Sequence, residues 1–136
     1  MKPLLTGLAA AHLAVSVWHG GAHTHLAIDL PPEKILFVYV VVLIAPVVAA
    51  SLVWTRYVSI GLWLFLLSMV GSFLFGGYHH YVLVSPDNIS HLPVGSPEFR
   101  SQFVTSAGLL ALLELGSALY GAFCLRSYRA NLSPGE

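Results

Sequence analysis

Apolar and polar positions divide this chain into long hydrophobic runs separated by short polar segments. Between Lys34 and Asp87 the only charged residue is Arg56, which splits one long apolar stretch into two runs. Each run holds about 20 residues, the length at which a helix crosses a hydrocarbon core of roughly 30 Å. The pattern therefore predicts transmembrane helices over residues 35–54 and 57–79.

Two further runs complete the set. The run at residues 102–125 contains a single charge, Glu114. The N-terminal run is shorter, and it reaches a full span only if its helix continues through a histidine-containing segment. We therefore predict helices at 4–26 and 102–125. Residues 1–136 are then expected to form a single domain, an all-α integral membrane four-helix bundle.

The N-terminal run also resembles a secretory signal sequence, because Lys2 precedes a short apolar segment. No clean small-x-small cleavage site follows that segment, since Trp18 and His19 come next. We therefore favour a first helix that stays in the protein.

Composition supports a membrane protein. Of the 136 residues, 57% are hydrophobic and 9% are charged, whereas soluble domains carry roughly 25% charged residues. The six basic and six acidic residues give a formal net charge of zero, with no basic stripe. Nucleic-acid binding therefore has no electrostatic support. The single cysteine, Cys124, excludes a disulfide framework and a cysteine-rich zinc site.

The positions of lysine and arginine predict the orientation. Two of these residues lie in the first and third loops, Lys34 and Arg100. Four lie at the termini or in the second loop, Lys2, Arg56, Arg126 and Arg129. Because basic residues concentrate on the cytoplasmic side, both termini are expected there. We expect a multi-pass protein of a bacterial or archaeal plasma membrane.

Seven histidines are the most informative polar residues. Six of them lie near the two helix ends that the predicted topology places on the outer face, namely His19, His23, His25, His79, His80 and His91. On a helix, positions three or four apart share a face. One polar stripe therefore runs along the first helix through His12, Ser16, His19 and His23.

A second stripe runs along the third helix through Ser68, Ser72 and Gly76, and it continues to either His79 or His80. Small residues at this spacing allow two helices to approach closely. The two stripes are therefore expected to face each other, although spacing alone does not decide which of the two adjacent histidines points inward.

Neutral imidazole binds zinc, copper, iron and nickel. We predict a transition-metal site at the extracytoplasmic face, with copper or zinc as the expected ion. The predicted ligands are His19, His23, His79 and His80, with His25 and His91 as auxiliaries. Oxygen ligands could come from Asp29, Glu33, Asp87 or Glu98.

Two other interpretations of the histidines remain open. Histidine is tolerated at the membrane–water boundary, as tyrosine and tryptophan are, so some of these residues could simply be interfacial. Two histidines from different helices can also ligate the iron of haem b. The candidate axial pairs combine His12 or His19 with His79 or His80.

Glu114 is the one charge deep within a predicted span. Ser117, Ala118 and Gly121 follow it on the same helical face, which indicates that it points toward other helices. His12 lies at a similar depth from the same side, so we predict an intramembrane polar pair of His12 and Glu114. Such a pair serves as a structural hydrogen bond, a proton relay or an inner metal site.

These features predict a small membrane protein that handles a metal ion or acts as a redox metalloprotein subunit. The alternatives are a non-catalytic accessory or assembly subunit of a larger membrane complex, a haem b electron carrier, and a small ion or proton transporter. The expected partners are the lipid bilayer and either further copies of the chain or a larger membrane complex. The sequence leaves open whether the protein is an enzyme.

Overall fold

The structure is a computed structural model that describes residues 1–132, and every regular element in that range is helical. Four helices follow one another: α1 (Lys2–His25), α2 (Pro32–Leu52), α3 (Val58–Val82) and α4 (Pro97–Leu132). Residues 1–132 contain no strand. The expected all-α class is therefore confirmed.

The longest helix, α4, extends beyond its predicted limits at both ends. Pro97 starts it and Glu98 lies in its first turn, while Arg129 lies in its last turn. Proline fits the first helical position, and acids at the start and bases at the end interact favourably with the helix dipole. The apolar run alone therefore underestimated the helix, because polar residues with suitable capping properties continue it.

Three helices, α2, α3 and α4, are long and apolar enough to cross a membrane. The first helix, α1, has 24 residues but is not one of these three. Its histidines, glycines and threonines lower its average hydropathy. A fourth span formed by α1 therefore stays a prediction.

Two of these helices contain wide, π-helical turns, in which a backbone N–H donates to the carbonyl five residues earlier. One covers Val38–Ile44 in α2, and the other covers Tyr78–Val82 at the end of α3. Single π-helical turns are frequent at functional sites. The second turn carries both of the adjacent histidines, His79 and His80.

Helix α4 packs along α3 and α1, while α2 packs on α3 and, less extensively, on α1. A buried apolar cluster fills the end that holds Met1 and Leu132, and it includes Leu5, Val53, Leu62, Phe65 and Met69. Small residues allow the close approach of these helices. A Cβ atom added to Gly61 would lie 2.9 Å from Val53, the residue after α2, so the close packing of α2 against α3 depends on this glycine.

The opposite end holds a smaller cluster of Ala22, Leu26, Leu92 and Phe103. The segment between α3 and α4 folds across this end. The backbone N–H of Ile89 donates to the carbonyl oxygen of His80 at 3.0 Å. This fold-back buries Asp87 and Asn88 beside the ends of α1 and α3.

Candidate metal centre

The side chains of His19, His23 and His80 meet at the end of the molecule opposite the termini, and we call these residues the histidine triad. One ring nitrogen from each lies within 4.8 Å of the others. The Nε2 atoms of His19 and His23 are 3.2 Å apart. A tetrahedral zinc ion with bonds of about 2.0–2.1 Å separates its ligand nitrogens by roughly 3.3 Å. One pair therefore already has the separation that a metal ion requires.

Two members of the triad donate from Nδ1 to backbone carbonyls. His80 donates to the carbonyl oxygen of Asp87 at 3.0 Å, and His23 donates to that of Ile28 across a longer distance of 3.5 Å. A carbonyl oxygen only accepts hydrogen bonds, so each Nδ1 must carry the hydrogen. The Nε2 atom of each neutral ring then keeps its lone pair, the form in which imidazole binds a metal.

His19 reaches the same state through a hydroxyl group. The Oγ atom of Ser106 donates to the carbonyl oxygen of Gln102 at 2.6 Å. It is therefore free to accept from Nδ1 of His19, which lies 2.8 Å away. Metal-binding histidines commonly donate their second N–H to such a partner, which fixes the tautomer and the ring orientation. With these partners at Nδ1, each of the three rings can keep an unprotonated Nε2.

In the tautomers that leave both Nε2 atoms unprotonated, these two nitrogens at 3.2 Å repel each other, because neither can donate a hydrogen bond. A cation bound by both lone pairs replaces that repulsion with two favourable bonds. Phe103 lies against all three rings, with centroid distances between 4.6 Å and 5.3 Å. The ring of Phe103 therefore supports the triad from α4.

The carboxylate of Asp87 lies beside two members of the triad. Its Oδ1 atom lies 3.2 Å from Nε2 of His23 and 3.2 Å from Nδ1 of His80. This oxygen is buried, and no donor within residues 1–132 is aligned to satisfy it. It is therefore the best placed of the four acids considered from sequence, since Asp29, Glu33 and Glu98 are exposed.

The other predicted ligands do not belong to this group. Nδ1 of His79 donates to the carbonyl oxygen of Phe75 on its own helix at 2.8 Å. His25 stacks on Phe99 at a centroid distance of 3.8 Å. The remaining auxiliary, His91, lies 3.3 Å from the side-chain oxygen of Asn88. Of the two adjacent histidines at the end of α3, the structure therefore brings His80 to the triad.

His12 and Glu114 lie together deeper in the molecule, with Nε2 and Oε1 separated by 3.1 Å. Their side chains are 0% and 5% exposed, so the pair is almost completely shielded. It joins α1 to α4.

A cavity of about 570 Å³ connects the two polar sites. The triad and Asp87 border it at one end, and Glu114 borders it further in. All four helices contribute to its wall, which is mainly apolar. A volume between roughly 300 and 1,000 Å³ with a few convergent polar groups is typical of small-ligand sites. The metal candidate therefore faces a partly open cavity large enough for solvent or a small molecule.

The geometry favours a bare ion over haem b. The rings of His19 and His80 contact each other edge to face, with centroids 4.8 Å apart. A porphyrin must lie between its two axial ligands, and these rings leave no space for one. Nε2 of His12 is hydrogen-bonded to Glu114 and is not free for an axial bond.

Two participants were not singled out by the sequence analysis. Ser106 lies eight residues, or about two helical turns, before Glu114, so the two residues share the inward face of α4. That periodicity was a usable signal. The carbonyl oxygen of Asp87 gave none, because its position depends on how the segment after α3 folds back.

This chain matches none of the protein-family models, curated proteins and solved structures with which it was compared. The arrangement of its own side chains must therefore support the functional assignment. That arrangement is a buried group of three histidines, His19, His23 and His80, that is compatible with metal binding.

Proposed function

We propose that this protein binds one transition-metal ion at the histidine triad and acts in metal handling or as a metalloprotein subunit in a membrane. One observation carries the proposal. Each ring of the triad has an acceptor at Nδ1, and one ring nitrogen from each residue lies within 4.8 Å of the others. Histidines that were merely interfacial would not need this common orientation.

The donor set favours Zn²⁺ or Cu²⁺. Three imidazoles with one carboxylate suit tetrahedral zinc, and imidazole also suits copper(II). Copper(I) prefers soft sulfur ligands. The thioether of Met69 lies in the apolar cluster near the termini, and Cys124 is buried in the same cluster. Neither sulfur supplements the triad.

Metal analysis of the purified protein tests the assignment. The decisive pair of variants is His80→Ala and His79→Ala, because these neighbours belong to the same helical turn. We expect about one ion per chain in the wild type and in His79→Ala, and a large loss in His80→Ala. Equal metal content in the two variants would contradict the proposal.

We further propose that α1 is a fourth membrane span and that both termini are cytoplasmic. The triad then lies at the extracytoplasmic face, where it can meet external metal. Two exposed positions test this orientation, Ser90 beyond α3 and Thr55 between α2 and α3. In intact cells, a membrane-impermeant maleimide should modify Ser90→Cys, whereas Thr55→Cys should react only after permeabilisation. The opposite pattern would reverse the orientation.

The site also has features of one that exchanges its ion. The triad supplies three ligands and borders a cavity, and the nearest carboxylate, Asp87, lies in the segment between α3 and α4. Metal sites of purely structural type are closed by four protein ligands. Metal handling is therefore favoured over a role in which the ion only stabilises the fold. Retention of a single ion through prolonged chelator treatment would argue for the structural role instead.

A further inference from the structure

We propose that His12 and Glu114 form a proton-binding pair that exchanges its proton through the cavity that Glu114 borders. The pair is separate from the triad and needs no metal to operate. Its proposed ligand is the proton itself, held between an imidazole and a carboxyl group in the interior of the helical bundle.

The surroundings of the pair contain no permanent charge. Among residues 1–132, three ion pairs occur, and each consists of a histidine and an acid. The His12–Glu114 pair is therefore not neutralised by a lysine or an arginine. Whatever balances the carboxylate must come from His12 or from a bound proton.

Counting protons shows why one proton is retained. With one shared proton the pair is neutral overall, either as an ion pair or as two uncharged groups. Removing that proton leaves an isolated buried carboxylate, and adding a second leaves an isolated buried imidazolium. Each isolated charge carries a large desolvation cost at so buried a position. The neutral pair with one shared proton is therefore favoured over both charged forms.

The carboxyl group has a route to the cavity. A Cβ atom added to Gly76 would lie 3.9 Å from Oε2 of Glu114 and 3.7 Å from Cδ2 of His80. The missing side chain of Gly76 therefore leaves space between the carboxyl group and the triad. The hydroxyls of Ser16 and Ser72 border this space and make no hydrogen bond within residues 1–132. They are available to hydrogen-bond with molecules that carry a proton.

The other titratable groups that border the cavity come from each helix packed around it. They are His19, His23, Asp29, Tyr39, His80, Tyr81 and Asp87. Because none of them is a permanent cation, none fixes Glu114 as a carboxylate. The proton on the pair is therefore free to exchange rather than being replaced by a neighbouring charge.

A hydrophobic carbodiimide tests for the proton directly. The carboxylic acid transfers its proton to a carbodiimide nitrogen while its oxygen bonds to the central carbon. No group leaves, so the protein gains the mass of one reagent molecule. A carboxyl group that never carries a proton does not react in this way.

The measurement uses metal-free protein in lipid nanodiscs, so its result does not depend on the proposed metal site. We expect one adduct, located by mass spectrometry on the peptide that contains Glu114. It should disappear in Glu114→Gln and persist in Glu98→Gln, the same change at an exposed position on the same helix. Peptide mapping of the wild type remains decisive even if Glu114→Gln does not fold. An unmodified Glu114 peptide across the neutral and mildly acidic range overturns the proposal.

A second experiment tests the route. Gly76→Leu should fill the space between the carboxyl group and the triad and slow the reaction with a water-soluble carbodiimide several-fold. Gly116→Leu is the matched control, because a Cβ atom there meets nothing within 4 Å. Equal reaction rates in the two folded variants would contradict exchange through the cavity.

Discussion

Replacing Ser106 by alanine should weaken metal binding without removing a ligand. The hydroxyl of Ser106 holds Nδ1 of His19 at 2.8 Å. Without it, the buried N–H has no acceptor, and the ring is free to rotate or to place its hydrogen on Nε2, where it blocks the metal. Loss of such outer partners typically costs 10- to 100-fold in metal affinity, or about 1.4–2.8 kcal/mol.

The effect on folding should be smaller than the effect on affinity. The lost contact is one hydrogen bond between α4 and α1, and such bonds in membrane proteins average about 0.6 kcal/mol, with a maximum near 1.7 kcal/mol. Ser106→Ala should therefore remain folded and still bind about one ion per chain. The change in affinity exceeds the change in stability because the hydroxyl selects the tautomer that binds metal.

The assay is a competition between the protein in detergent and a chromophoric chelator, with Zn²⁺ as the probe. Ser117→Ala is the matched control, since Ser117 is also fully buried on α4 but its hydroxyl has no partner within residues 1–132. We expect the dissociation constant for Zn²⁺ to be 10- to 100-fold higher only in Ser106→Ala. Equal affinities in the two serine variants would refute the argument for a fixed tautomer.

Three further results are expected. Asp87→Asn should weaken Zn²⁺ binding less than His80→Ala does, because it removes a carboxylate oxygen but keeps the backbone carbonyl that orients the ring; chelator competition compares the two, and a reversed order would count against the ligand assignment. Metal affinity should fall as the pH is lowered, since imidazole must lose its proton to bind a metal. Equilibrium dialysis at several pH values measures this, and an affinity that does not change with pH would contradict it. Gly61→Ala should lower thermal stability by about 1–3 kcal/mol because α2 must move away from α3, whereas Gly116→Ala should not, and equal melting temperatures would show that the contact is not tight.

The helices were predictable because charge is so rare in this chain. A single arginine between two apolar runs marks the turn between α2 and α3, and it does so without any knowledge of tertiary structure. The ends of α4 were less predictable. Hydropathy detects only the segment suited to lipid, whereas Pro97 and Arg129 extend the helix through interactions that do not depend on apolar character.

The candidate site was predictable only as far as local periodicity reaches. The stripe that carries His19 and His23 follows from helix geometry, since residues four positions apart share a face. The choice of His80 over His79 does not follow from it. It depends on the π-helical turn at Tyr78–Val82, which holds more residues than an α-helical turn. This wider turn keeps His80, the fourth residue after Gly76, on the inner face.

Asp87 illustrates a different limit. It lies in an irregular segment, so no periodicity assigns it a direction. Its place beside the triad results from the fold-back that the contact between Ile89 and His80 stabilises. The sequence predicts Asp87 only as one of several possible acids, because its short distance to the triad is a property of the tertiary structure.

The weak membrane signal of α1 has the same origin as the candidate site. An average hydropathy counts every residue equally, whichever way it faces. In α1 the polar residues His12 and His19 are buried against other helices, while Leu4 and Val17 are 54% and 63% exposed. A helix that hides its polar side chains in this way can present an apolar surface to lipid despite a modest average. The ligands of the proposed metal site are thus the residues that lower the average hydropathy of the helix, and we expect α1 to span the membrane together with the other three helices.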